Sequence, residues 1–427
     1  MISAMLQYIQ RSPDCFHAVE ELRQRLLREG YTELRPGRWQ LTAGGKYFTT
    51  KNGSSLMAFR IPQEAPAGFL LTASHSDSPC FRLRDHAELT GEYIRLSAER
   101  YGGMINDSWL DRPLSVAGRV LVRREGGLEA RLVDLKRDVA LIPRVAIHLN
   151  RETNNGVKYD PARDLVALYA AGTGSGSFYR EVARTADCAP EDVVAGDLVL
   201  YNNQPGTVWG PEGEFVSAPR LDDLACVFAC TEGFLTAQER DMVPVLCVFD
   251  NEEIGSETKQ GAASVFLPET LAAISEALGL SAADHRALLA DSMMLSCDNG
   301  HARHPNHPEL ADTNEAPVPN GGVVVKHSPR YASDALTAGV FQRICQKAGV
   351  PVQVYYNNSK IPGGGTLGNL SGSHVALPTV DIGLAQLSMH SPYETAGAKD
   401  LDYMVWAMQA FYESVITQTG REEYAIQ

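Results

Sequence analysis

Glu252 and Glu253 stand side by side just after the apolar run 243–249, with Asp250 and Asn251 before them and Gly255 following. Neighbouring side chains at a strand end point to different sides, so the two carboxylates can take separate tasks. One can hold a metal ion while the other handles the proton of a metal-activated water. Taken alone, the pair equally suits a solvated helix start, where acids complement the helix dipole.

Four more positions carry groups of the same kind. His75 lies in the stretch 74–79 (Ser-His-Ser-Asp-Ser-Pro), where Asp77 can steady an imidazole from behind. Asp222 falls where a loop becomes a helix, Asp298 directly follows the run 293–297, and His390 sits in 388–391 (Ser-Met-His-Ser). Each has a plainer reading by itself: a satisfied polar histidine, a helix-start acid, an Asx turn, a core histidine. Jointly they supply two histidines and four carboxylates. That inventory suits a pair of zinc-like ions with one bridging carboxylate. Two ions about 3.5–4 Å apart can clamp a hydroxide and polarise a carbonyl, leaving one glutamate as general base.

The elements that must position these groups can be read from apolar patterning. The runs 68–74, 243–249, 293–297 and 379–383 are apolar without alternation, as in parallel strands buried on both faces. Ligands of open α/β sheets bind outside the carboxyl ends of the strands, which gives these distant residues a reason to meet. Helical patterns cover 221–238 and 400–417. An earlier one begins at Ser12-Pro13-Asp14, read as a cap with proline at the first helical position. Between about 82 and 212 the pattern changes. Val116, Gly118, Val120 and Val122 alternate, Gly126-Gly127 makes a turn, and Leu128, Ala130 and Leu132 follow, an antiparallel hairpin with one wet face. The glycine-rich loop 172–177 lacks the lysine of a phosphate cradle. The fold class is α/β, a mixed, largely parallel sheet flanked by helices. Residues 1–81 and 213–427 form a discontinuous main domain, and 82–212 an inserted, mostly β domain.

Bulk properties narrow the partners. A chain of 427 residues exceeds one typical core. The net charge of −14 argues against nucleic acid and anionic membranes. There is no run long and apolar enough for a membrane span, and the amino-terminal helix pattern is not that of a signal peptide. Eight scattered cysteines, several within apolar stretches (Cys226, Cys230, Cys247, Cys297), read as reduced core thiols of a cytoplasmic protein.

Further motifs lie between these positions: Tyr101-Gly-Gly103, Trp109-Leu-Asp-Arg112, the stretch 146–151 (Ala-Ile-His-Leu-Asn-Arg), Arg220-Leu-Asp222, 301–306 (His-Ala-Arg-His-Pro-Asn) and Arg330-Tyr-Ala332. With the histidine and glutamate motifs, and in this order, the chain resembles the aspartyl aminopeptidases over nearly its whole length. The resemblance implies a zinc exopeptidase-like fold with an inserted dimerisation domain. It implies two divalent ions, zinc with cobalt or manganese as alternatives, and a bridge at Asp222. His75, Glu253, Asp298 and His390 would be the other ligands, Glu252 the general base and Asp77 its neighbour behind the metal shell. His148 would reach a neighbouring subunit's active site, and His301 and Lys326 would line the substrate site. The expected substrates are peptides with a free amino terminus, preferably beginning with Asp or Glu, and the expected assembly is a homododecamer built from dimers. A local cation such as Lys326 would let a net-acidic protein hold an acidic side chain. The stretch 361–366 is unusually glycine-rich for the group. The rival readings are a neutral or broad-specificity aminopeptidase and a non-catalytic assembly particle. The particle would have no need of six costly buried polar groups.

Overall fold

The computed structural model describes residues 1–427 apart from Thr173 and Pro362. The glycine-rich stretches 172–177 and 361–366 therefore lie partly outside the described residues.

The four apolar runs become four adjacent strands. Val243–Phe249, Phe69–His75, Met293–Cys297 and Thr379–Gly383 pair in parallel, in that spatial order, at the heart of a nine-stranded sheet. Antiparallel neighbours complete the sheet on both sides, Ser55–Arg60 beyond Val243–Phe249 and Val323–His327 beyond Thr379–Gly383. Every residue of these four strands is buried, which explains the absence of alternation in the sequence. Leu70, Leu246, Leu295 and Val380 face one core, shared with the helices Leu221–Thr236 and Asp400–Tyr412. Phe69, Leu71, Val245 and Met294 face the other, covered by Phe266–Ala277 and Ala282–Ala290.

A seven-stranded, wholly antiparallel sheet is built from Cys80–Leu89 through Val193–Tyr201 and encloses its own apolar core. Val193–Tyr201 also pairs with Pro113–Arg124, closing the sheet towards a barrel. The expected hairpin is present, with Arg124 opposite Gly127. Its second strand departs from expectation, because Leu128 and Leu132 are exposed and Val133 is the buried residue. A third, five-stranded sheet joins Thr207–Trp209, Phe215–Ala218, Glu394–Gly397, Ala385–Leu387 and Gly300–His301.

Two helix boundaries differ from the sequence reading. Asp14, not Ser12, is the cap of Cys15–Arg28, its carboxylate accepting from the Phe16 and His17 amides. Ser12 ends a preceding helix, Ile2–Arg11, that the pattern did not single out. The last helix stops at Tyr412, and Ile416–Gly420 continues as a strand against Glu423–Ile426. Threonine and isoleucine there favour an extended chain.

Candidate metal centre

The carboxyl ends of the parallel strands deliver the chemistry. His75 closes its strand opposite Phe249. Two residues beyond Phe249, Asn251 adopts left-handed backbone (φ 63°) and turns the chain into the 3-10 turn Glu252–Ile254, so both glutamates overhang the sheet edge. Asp298 follows Met293–Cys297, its amide donating to the Ile382 carbonyl at 3.0 Å. Here the neighbouring strand needs glycine: a Cβ on Gly383 would sit 2.0 Å from the Asp298 carbonyl oxygen. Asp222 and Asp223, joined by a cis peptide bond, open the helix Leu221–Thr236 with non-helical dihedrals. The half-buried Arg220 guanidinium fastens this corner by donating to the carbonyls of Ile9, Ser12 and Asn202. His390 comes from a tight turn in which Ser388 and His390 both have positive φ, a conformation that costs about 1–3 kcal/mol at non-glycine residues.

Asp222 lies between two imidazoles: His75 Nε2 is 3.5 Å from Oδ1 and His390 Nε2 is 3.5 Å from Oδ2. His390 Nε2 is also 3.4 Å from Glu253 Oε2. The other ring nitrogens are engaged behind, His75 Nδ1 with the Asp77 carbonyl and His390 Nδ1 with the Gly103 carbonyl, each at 3.0 Å. In the neutral ring, donation to a carbonyl places the proton on Nδ1 and frees the Nε2 lone pair, on the side of the acids, for a metal. Three groups of candidate ligand atoms lie within 4.8 Å of one another: His75, Asp222, Asp223 and Asp298; Asp222, Glu253 and His390; and His75, Glu252 and Glu253.

Asp77 accepts the Glu252 amide at 3.1 Å, the Glu253 amide at 3.2 Å and the Tyr101 hydroxyl at 2.7 Å. It thereby ties the His75 strand to the glutamate turn. Glu394 does the same on the opposite side, accepting the amides of Asp222 (2.9 Å) and His390 (2.7 Å).

The electrostatics are those of crowded buried acids. Burial, then the charges of Asp298, Asp77 and Asp222, push the Glu252 carboxyl up to about 8, although nearby His75 opposes the shift. Burial and the Asp222 charge push Glu253 well above the carboxylate range. Asp298 is raised by burial and carboxylate repulsion against the pull of Lys326. Asp222 moves the other way: burial would raise it, but its contacts with His390 and His75 outweigh that and hold it low. Burial alone would lower the His75 imidazole, yet Asp222 and Asp77 raise it well above its usual range.

The donor set fits divalent cations. Asp222 Oδ1, Asp223 Oδ1 and Glu253 Oε1 are buried and without hydrogen-bond partners. Both Nε2 atoms point at carboxylates, and the cluster carries more negative charge than its neighbours offset. Buried anions of this density require cations in contact.

The structure thus gathers His75, Asp77, Asp222, Glu252, Glu253, Asp298 and His390 at one edge. Lys326 adjoins them from below, 1% exposed, its Nζ donating to the Asp298 (2.7 Å) and Asn299 (3.3 Å) carbonyls and standing 3.5 Å from Asp298 Oδ2. His301 is exposed on the third sheet, its ring 6.3 Å from that of Tyr355. His148 is exposed on the loop after Ala140–Leu141 and is not among the clustered groups. Sequence reasoning passed over Asp223 and Glu394. Adjacency to Asp222 and the spacing four residues after His390 were the available signs.

Comparison with known proteins agrees with this chemistry. Residues 8–412 match the family described as aminopeptidase I zinc metalloprotease (M18). The probable M18 family aminopeptidase 2 of Clostridium acetobutylicum is 38% identical, over 96% of this chain and 97% of its own length. Among solved structures, a chain from the cryo-EM structure of the Ape4 and Nbr1 complex superposes with a TM-score of 0.93 at 30% identity, over 96% of this chain and 85% of that one. The S. cerevisiae mApe1 dodecamer gives 0.85 at 29%, over 96% of both. The expected fold class and family are borne out. The chain belongs to the M18 family of zinc metalloproteases and is a metallo-aminopeptidase.

Proposed function

We propose that this aminopeptidase removes amino-terminal Asp or Glu from unblocked peptides at a two-metal centre, with Glu252 as general base. The observation that carries the reading is Asp222, one carboxylate with a histidine Nε2 at 3.5 Å from each oxygen, as a bridging ligand requires. His75 and Asp298 would complete one half of the centre and Glu253 and His390 the other. Bound there, zinc, or cobalt or manganese in its place, would supply Lewis acidity for the peptide carbonyl and acidify water.

The chain's own groups account for the proton and the geometry. Glu252 is held by its amide to Asp77 at the edge of the cluster. It takes the proton of the attacking water and returns it to the departing amine as the bond to the second residue breaks. The raised pKa of Glu252 would be drawn back towards the range of a working base once cations are held in the cluster. Asp77 fixes the His75 ring and the glutamate turn together. His301 would line the substrate site. His148 would serve a neighbouring subunit, with 82–212 as the dimerisation domain of the main 1–81 and 213–427 domain. The dodecameric mApe1 relative supports a dodecamer, which would be built from dimers, and free thiols and net acidity support a cytoplasmic setting.

Lys326 would favour an acidic side chain through its field. A specific observation favours the second reading, a neutral or broad-specificity aminopeptidase. Lys326 Nζ is already engaged by two carbonyls and the Asp298 carboxylate, which blunts its pull on a substrate. Comparing kcat/KM for Asp, Glu and Leu aminoacyl substrates separates the two. The acidic reading expects Asp and Glu to exceed Leu by at least about tenfold, the worth of one well-placed charge pair at 1.4 kcal/mol, and Lys326→Ala to erase that margin. Equal or faster Leu cleavage establishes the neutral enzyme.

A further inference from the structure

A row of polar side chains crosses the central sheet on the face away from the Leu295 and Val380 core. Ser296 and Asp381 are register partners on two parallel strands, and Lys326 and Tyr355 on the next two. All four are buried, Ser296 and Asp381 completely. Asp381 has no part in the scheme above. A buried carboxylate is costly unless its oxygens are hydrogen-bonded, and the Lys326 ammonium beside it donates elsewhere, to the Asp298 and Asn299 carbonyls.

What Asp381 holds is two loops. Its Oδ1 accepts the Thr366 hydroxyl at 2.5 Å and its Oδ2 the Ala332 amide at 2.6 Å. The ladder to Val323–His327 stops at Val325 opposite Ile382, and Ser333 takes up the next amide, Asp381 donating to its hydroxyl oxygen at 2.8 Å. Ser296 adds a fourth tie, accepting the Gly368 amide at 3.0 Å. That approach favours glycine, because a Cβ on Gly368 would stand 3.0 Å from Asp381 Oδ1. The first loop carries Tyr331, whose ring centre is 5.4 Å from Lys326 Nζ.

We propose that Asp381 is a positioning residue for substrate selection. Through Ala332, Ser333 and Thr366 it clamps two loops about Lys326, and so fixes the shape of the pocket that takes the peptide's first side chain. This deepens, and rests on, the reading that Lys326 lines the substrate site. Hydrogen bonds to a charged acceptor are the strong ones, and they seat both loops on a rigid strand. A pocket wall left free would be ordered anew by each substrate, at an entropic cost to binding. None of these hydrogen bonds reaches Glu252 or a candidate metal ligand, so loosening the clamp should act on KM before kcat.

The test uses the full-length, metal-loaded enzyme with Asp and Leu aminoacyl substrates, kcat and KM being measured separately. D381N removes charge at a completely buried position and puts the fold at risk. T366V, which deletes one hydroxyl with nearly the same outline, is therefore measured beside it, with T366S as the conservative control. T366V should raise KM for the Asp substrate about tenfold, one hydrogen bond to a charged acceptor at 1.4 kcal/mol, with kcat within about twofold. The Leu substrate should change less, and T366S should restore the wild-type constants. A merely structural role lowers kcat for both substrates alike and leaves KM in place; that result overturns the inference, as does a T366V enzyme with unchanged constants. Lys326→Ala separates the two layers. If it leaves both KM values unchanged, the reading of Lys326 falls and the inference with it. If it raises KM for the Asp substrate while T366V does not, the inference alone falls.

Discussion

The carboxyl edge of the central sheet and the loop 143–150 are built on opposite terms. At the sheet edge, His75, Asp222 and Asp298 are buried and each backbone is fixed by a neighbour: the His75 amide by Asp223, the Asp222 amide by Glu394, the Asp298 amide by Ile382. In the loop, Val145, Ile147, His148 and Leu149 are all exposed, Leu149 at 83%. Apolar side chains do not line up in water without some cover. The groups of the first region are gathered within one chain, and the second would gain a purpose if another subunit met it. A preorganised site would supply the reaction; on the reading proposed above, the exposed loop would make that reaction depend on assembly.

The largest effect should come from the complete region. Glu252→Gln should lower kcat by up to about 10^4-fold, the upper range for a general base, with bound metal unchanged; steady-state kinetics alongside metal analysis checks both, and a mutant that keeps most activity removes Glu252 from that role. In the loop, His148→Ala should lower kcat by about 10^2-fold, the size of a positioning loss, without shifting the denaturation midpoint. Wild-type specific activity should also fall on dilution; activity independent of concentration down to the monomer would erase the contrast. Core and loop separate again in stability. Leu295→Ala, at a fully buried strand position, should cost about 2–5 kcal/mol by denaturant unfolding, whereas Leu149→Ala should stay within about 0.5 kcal/mol.

The smallest effect is a pH trend in the metal-free protein. The folded-state pKa of Glu252, about 8 against 4.5 when free, means the folded chain binds the extra proton between those values. The contribution is present at low pH and is lost as pH rises through 8. Glu253, Asp298 and His75 are raised too and act in the same sense; Asp222, held low, opposes them only in acid. The Tm of the chelated protein should fall between pH 6 and pH 8, and that of the metal-loaded protein should not follow it.

Much of this was legible in the sequence. Uninterrupted apolar runs ending in His75, Asp298 and the glutamate pair gave four strands in one sheet, because burial on both faces leaves no room for alternation. What escaped was set by tertiary geometry. Asp223 merely follows Asp222 in sequence, and only the non-helical turn at the two residues carries it under His75. Glu394 is an isolated glutamate in sequence, yet the third sheet places it beneath two amides. The Ser12 cap failed because Asp14 competes for the same role with a stronger acceptor, and Leu128 and Leu132 misled because a regular hairpin pattern does not say which face is covered.

The two-metal reading rests on Asp222, so the deciding measurement is the metal content of purified wild type and Asp222→Ala, counted per chain with the fold checked by circular dichroism. A carboxylate shared between two positions should give about two divalent ions in the wild type and near zero in the variant. Two ions in both proteins would contradict it.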